Sequence, residues 1–225
     1  MFIRPVIGAA GGGDVLPVMD GLITWLDATD VGTINSTTWQ DKSGLGNHWT
    51  STGLSSFPSD VPAESARKWG DAGHATKLSA PDILSGLSEC EIFWRAKAGQ
   101  ATNGWGNCSD ITGNPALWYP YNAYTELGWG SAEIRQVAQP SSVLVYHTIN
   151  MWTAANDWGA YFNGAPWATD ITNVVQFSTT PYIGGMIAFP GNYWIGYMKS
   201  IAIFNRKLTT QERSDMNDYM DALGS

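Results

Sequence analysis

The sequence predicts an all-β protein, two antiparallel sheets packed face to face and closed by a short C-terminal helix. Three observations carry that reading. Charged residues make up only 14% of the chain, well below the roughly 25% of an average soluble protein. Their place is taken by 25 glycines, 12 tryptophans and many Ser, Thr and Asn, which suits short strands joined by polar turns. Second, β-rich runs alternate with turn signals: Val143–Thr148, then Trp158–Phe162 followed at once by Asn163-Gly164, a strong hairpin signal. Third, Tyr193–Phe204 places Trp194, Gly196, Met198, Ser200, Ala202 and Phe204 on one face. Tyr193, Ile195, Tyr197, Lys199, Ile201 and Ile203 take the other. A strand apolar on both sides is covered on both sides.

Taken in order, residues 1–15 form a flexible or anchoring N-terminal segment, and the sandwich occupies 16–225. Met1–Asp14 is an apolar hexapeptide followed by a Gly/Ala tether. It reads as a loose terminus or as a docking peptide whose Phe2, Ile3, Val6 and Ile7 insert into an assembly. Gly21–Ala28 is the first convincing strand. Residues 53–89 mix loop signals with brief strands near Arg67–Trp69 and Ala75–Leu78. Cys90–Ala98 and Trp105–Ile111 are strands, as are Leu117–Asn122 and Tyr124–Gly130. Pro181–Gly184 is another short run. Tyr193–Phe204 is expected to be the longest strand. Thr209-Thr210-Gln211-Glu212 then makes a capping box, and Met216, Tyr219, Met220 and Leu223 recur at helical spacing.

Bulk properties exclude several functions. With a net charge of −8 the chain repels nucleic acid and anionic membrane surfaces, since affinity for phosphate comes mainly from Lys and Arg. Neither nucleic acid nor membrane is expected as a partner. Two cysteines, Cys90 and Cys108, are too few for a disulfide scaffold; they pair across neighbouring strands or stand as free buried thiols. No apolar run reaches membrane-spanning length, and Met1–Gly13 is too short in apolar residues for a signal peptide.

Two stretches carry a resemblance. Leu26-Asp27-Ala28-Thr29-Asp30 followed by Trp39-Gln40-Asp41-Lys42-Ser43-Gly44-Leu45-Gly46-Asn47-His48 resembles the opening of concanavalin A-like domains in phage structural and bacterial surface proteins. Tyr193–Ile203 running into Phe204-Asn205-Arg206-Lys207-Leu208-Thr209 and Glu212 is similar to the close of laminin G-like, concanavalin A-like domains. The resemblance covers most of residues 20–223 and implies an antiparallel two-sheet jelly-roll sandwich.

Candidate sites follow from residue chemistry. Trp118, Tyr119, Tyr121, Asn122 and Tyr124, interrupted by Pro120, combine aromatic platforms with an amide, as sugar sites do; the alternative is a Trp-rich core. Trp158 and Trp167, flanking the Asn163-Gly164 turn, are a second patch. Asp41 and Asn47 bracket two glycines and form either a well-capped turn or, joined by Asp27 or Asp30, a calcium loop. No other cofactor is implied.

Catalysis is not expected. Glycosidases need two carboxylates facing each other across the sugar; the one close pair on a strand is Glu89-Cys90-Glu91, and Phe93 and Trp94 stand where the laminarinase-type glucanases of the resembled fold carry a third acid. Glu126 and Glu133 stand alone. His48, His74 and His147 show no metal-ligand spacing, and neither a nucleophile elbow nor a phosphate loop occurs.

The resemblance to domains of phage structural proteins implies a non-catalytic virion surface protein, a tail, fibre or capsid-decoration component. It would be anchored to other virion proteins through its N-terminal segment and present in several copies or as a homo-oligomer. Such a protein would offer a lectin-like domain to cell-surface glycan. The alternative is a free or cell-surface bacterial glycan-binding module; a glycoside hydrolase ranks below both.

Overall fold

A computed structural model describes residues 15–30, 32, 37–51, 59–61, 64–70, 77–101, 107–110, 117–128, 134–171, 177–185 and 194–224. The candidate anchor Phe2, Ile3, Val6 and Ile7 lies outside them, as do Trp105, Trp129, Glu133 and Tyr193. In the described residues the order is β1 (Leu22–Asp27), β2 (Thr38–Trp39), β3 (Trp49–Ser51), β4 (Ser59–Val61), β5 (Ala66–Trp69), β6 (Leu78–Ser79), β7 (Glu89–Ala98) and β8 (Asn107–Asp110). There follow β9 (Leu117–Tyr121), β10 (Tyr124–Gly128), β11 (Ile134–Ala138), β12 (His147–Ala154), β13 (Asp157–Phe162), β14 (Ala165–Asp170), β15 (Tyr182–Ile183), β16 (Gly196–Phe204) and α1 (Thr210–Ala222).

The strands form two antiparallel sheets. The first runs β14-β13-β12-β7-β16-β5-β4, and the second β11-β10-β9-β8-β15-β6-β3-β2. In the first sheet β16 lies against β7 along its whole length. Its opposite edge is shared: β5 takes Gly196–Met198 and β1 takes Ser200–Phe204. This is the antiparallel two-sheet sandwich with a short C-terminal helix that the sequence predicts.

Strand boundaries shift in two informative places. The longest strand is β7, of 10 residues, because β12 and β16 flank it on both sides and satisfy its backbone throughout. The run expected over Val143–Thr148 instead begins as a strand at His147 and continues to Ala154, since those residues pair with β7 on one side and β13 on the other. The Asn163-Gly164 turn stands as expected, joining β13 to β14. Both residues have positive φ, 49° and 75°, the combination a two-residue type I′ hairpin demands.

Two cores result. Between the sheets, Trp39, Trp49, Trp69, Trp94, Trp158 and Trp194 are fully buried with Leu26, Ile92, Leu117, Tyr119, Ile149 and Ile201. Each such indole removes about 200 Å² from water, worth on the order of 5 kcal/mol. Trp39, Trp69 and Trp194 pack in series, at 5.7 and 5.8 Å between rings. The second core lies on the outer face of the first sheet, where Trp25, Phe93, Ala202 and Phe204 meet Met216 and Met220 of α1. The sheet is covered on both sides, which is why β16 is apolar on both.

A bulge corrects the alternation expected along β16. Its register against β7 slips between Met198 and Ser200, and one extra residue exchanges the two faces beyond it. Met198 therefore shares the inter-sheet core with Ile201 and Ile203, whereas Ala202 and Phe204 face the helix.

Helix α1 opens on a complete capping box: Glu212 N–H donates to Thr209 Oγ1, and Thr209 N–H donates back to Glu212 Oε2. The Arg206 guanidinium, and after it the Thr209 N–H, hold the Glu212 carboxyl down at about 2. A carboxyl lowered in the folded state stabilises above its ordinary value, here 4.5, and loses that contribution as pH falls through the folded value. The melting temperatures of wild type and Glu212→Gln should therefore differ at neutral pH and converge as pH falls toward 2.

Cys90 and Cys108 are unpaired and buried in the inter-sheet core, on the first and second sheets respectively. Burial pushes both thiols well up, and the Glu91 charge adds to this at Cys90. Both should resist a thiol-specific reagent in the native protein and react fully in denaturant, since the thiolate is the reactive form. Rapid native labelling of either would contradict this packing.

Candidate functional site

One end of the second sheet carries an aromatic outer face. Along β9, Leu117 and Tyr119 enter the inter-sheet core, so Trp118 points the other way. The β9–β10 hairpin turns at Asn122, whose φ of 50° suits an Asn. That turn sets Tyr121 opposite Tyr124 and Trp118 opposite Glu126. On the next strand Gln136 lies opposite Glu126, and its Nε2–H donates to Glu126 Oε1 at 2.9 Å.

The rings form a chain of edge contacts. Trp118 and Tyr121 are 4.7 Å apart at 67°, and Tyr121 and Tyr124 are 5.1 Å apart at 61°. Tyr121, Tyr124 and Glu126 are half-buried, while Asn122 and Gln136 are exposed. Trp118 is only 5% exposed and serves as the floor. Burial first, then the Glu126 charge, raises the Tyr121 phenol, so its O–H remains a hydrogen-bond donor at neutral pH. The face thus offers ring surfaces to C–H groups, with a carboxylate, amides and phenols to pair hydroxyls beside them.

Other expected site residues lie elsewhere. Tyr119 is fully buried, and its backbone carbonyl accepts from Trp194 Nε1–H at 2.7 Å; it belongs to the core, because alternation sends it inward from Trp118. Trp158 is likewise fully buried. Trp167 is half-buried and packs on Phe162 at 4.8 Å, so this pair forms no exposed patch. Glu126 and Gln136 were not singled out from sequence, because only the pairing of three strands places them beside Trp118.

Asp41 and Asn47 do come together, as a turn clamped onto β1. Asp41 Oδ1 accepts from the N–H groups of Trp25 at 2.8 Å and Ser43 at 2.9 Å. Its Oδ2 accepts from Ser43 Oγ at 2.6 Å and Asn47 N–H at 3.0 Å. Asn47 Nδ2 donates to the Ile23 carbonyl at 2.6 Å. Both side chains face inward and cap the turn. Lys42 Nζ lies 3.4 Å from Asp27 and 3.1 Å from Asp30, supplying positive charge to the two carboxylates that a calcium loop would recruit.

The Glu89-Cys90-Glu91 pair also has a structural use. Glu91 is fully buried under α1. Its carboxylate accepts from Arg213 Nε at 2.6 Å and Nη2 at 2.9 Å, from Asn150 Nδ2 at 2.9 Å, and from Leu208 N–H at 2.7 Å. An open cleft of ≈ 260 Å³ lies beside this pin, between α1 and Tyr161, Asn163 and Gly164. Of its charged groups, Arg213 and Asp221 are held by Glu91 and Arg95, and Asp218 is exposed.

The sequence matches no family model and no curated protein. Solved structures do match by shape. Trypanosoma rangeli sialidase in complex with 2,3-difluorosialic acid superposes with a TM-score of 0.72 at 17% identity, over 98% of this chain and 36% of the sialidase. The binding domain of botulinum neurotoxin serotype D/C gives 0.63 at 14% identity, over 90% of this chain and 53% of that one. The same toxin's binding domain in complex with SialylT gives 0.67 at 12%, over 91% and 52%. The chain thus spans about a third of the sialidase and about half of the toxin domain. At these identities the likeness establishes the fold alone, a two-sheet β-sandwich.

The sialidases correct one expectation. The sequence predicts a non-enzyme, but this sandwich recurs within a sialidase, a glycoside hydrolase, so its architecture does not set the chain apart from such enzymes. The virion setting gains no support from these relatives, an enzyme and a toxin domain.

Proposed function

We propose that this chain is a glycan-binding module that presents Trp118, Tyr121, Asn122, Tyr124, Glu126 and Gln136 to a sugar. The observation that carries the reading is the chain of three rings on an outer sheet face, flanked by a hydrogen-bonded carboxylate and amide. Stacking and hydroxyl pairing need those two elements side by side. The sandwich's occurrence in a sialidase and in a toxin domain complexed with SialylT supports the same reading. A module of this kind works equally on a virion or a cell surface; loss of particle attachment on deleting residues 1–15 would favour the first.

The test is a glycan array read with wild type, Tyr121→Ala and Tyr124→Ala. Both side chains are half-exposed, so the fold should persist, as circular dichroism would verify. Each variant should bind about tenfold more weakly or worse, the loss of one stacked ring. Unchanged affinity in both variants would place any sugar elsewhere.

A further inference from the structure

We infer that this aromatic face selects uncharged glycans and rejects sugars bearing a carboxylate, such as sialic and uronic acids. The inference rests on the glycan-binding reading above and adds the class of ligand.

The charge distribution carries it. Glu126 is the carboxyl group placed opposite Trp118 on this face, and the partner it holds is the neutral amide of Gln136. The neighbouring cation, Arg135, is directed away. It lies opposite Leu127, whose side chain enters the inter-sheet core, and it forms an ion pair with Asp170 on β14 of the other sheet. Alternation along β11 thus sends Gln136 to the aromatic face and Arg135 to the opposite one.

Among the described residues the remaining cations are engaged or placed elsewhere. Arg95 pairs with Asp221, Lys97 with Glu64, Arg206 with Glu212, Lys207 with Asp157 and Arg213 with Glu91. Lys42 pairs with Asp27 and Asp30. Lys77 lies over the Tyr182 ring, and Lys199 donates to the Leu223 carbonyl. Arg67 and Lys68 sit on β5 of the first sheet.

The chain segments that lead into this end of the second sheet supply none by sequence. Residues 102–106, 111–116 and 129–133 contain no Lys or Arg, and the last of them includes Glu133. A carboxylated sugar brought onto the rings would face Glu126 without a compensating cation, inside a chain of net charge −8. Like charges at contact distance oppose binding strongly wherever water is partly displaced. Neutral hydroxyls meet no such opposition: the Tyr121 O–H and the Gln136 amide donate, and Glu126 accepts.

The experiment is an array of neutral oligosaccharides, each paired with its sialylated or uronic-acid counterpart, read with wild type, Tyr121→Ala and Glu126→Gln. The expected result is that neutral members bind about tenfold or more tightly than their acidic counterparts. That ratio should narrow in Glu126→Gln and widen as salt is lowered. Acidic members bound as well as or better than neutral ones, with binding lost in Tyr121→Ala, would overturn the selectivity while leaving the glycan reading in place. Binding of neither kind would overturn the glycan reading, and the selectivity with it.

Discussion

Arg213→Ala should cost about 3–5 kcal/mol of folding stability, the usual penalty for leaving a buried charge without its partner. Glu91 is fully buried on the outer face of the first sheet, and Arg213 supplies two of the four hydrogen bonds its carboxylate accepts. The same guanidinium donates to the Leu208 carbonyl at 3.0 Å and lies 4.6 Å over the Trp152 ring. One side chain therefore ties α1, the segment before it, β7 and β12 into one unit. Urea denaturation is the measurement. The double variant Glu91→Leu/Arg213→Met should recover much of the loss, because apolar groups of similar volume leave no charge to solvate. A single-variant cost below about 1 kcal/mol would mean that water reaches Glu91 and the pin is not dry.

Gly196→Ala should be nearly as damaging. A Cβ on Gly196 would fall 2.2 Å from Cζ2 and 2.4 Å from Cε2 of Trp194, far inside contact distance. The indole has nowhere to retreat. Its Nε1–H is bonded to the Tyr119 carbonyl across the sandwich, and its ring packs 5.8 Å from Trp69. Overpacking combined with a broken buried hydrogen bond should cost on the order of 3 kcal/mol. For a domain of this size that lowers the melting temperature by about 6–12 °C, which calorimetry reads directly. A shift of under a degree or two would show that β16 can move aside.

The parts of this fold readable from sequence are those governed by local chemistry. The Thr209 capping box, the Asn163-Gly164 turn and the apolar spacing of Met216 and Met220 each follow from residues within a few positions of one another. Asp41 and Asn47 were recognisable as turn residues for the same reason. What escaped depends on partners far away in the chain. The β16 bulge arises from pairing with β7, and nothing near Met198 announces it. Glu91 looked like half of a failed catalytic pair because its partner, Arg213, lies on the terminal helix.

The aromatic face divides along the same line. The cluster Trp118, Tyr121 and Tyr124 stands out as composition, yet alternation alone would already send Tyr119 and Trp118 to opposite sides. Glu126, which looked isolated, gains its place only when β9 and β11 flank β10. Trp158 was misplaced because flanking a turn suggests exposure, whereas β13 turns that indole into the core.

The shared edge of β16 has a consequence for how the protein is made. Leu22 pairs with Phe204 and Asp27 with Ser200, so strand β1 leaves the ribosome long before the strand that completes it exists. Until β16 is synthesised, β7 also lacks one of its two neighbours. Between the synthesis of β7 and that of β16 the nascent chain therefore carries two unfinished edges rich in Trp, Phe, Ile and Leu, the kind of surface on which unfinished chains stick to one another. Cooperative closure waits for the last strand, and such non-local pairing is slow. Yields in a heterologous host should thus respond more to lowered temperature and to chaperones that shield nascent strands than to any change in the stability of the finished sandwich.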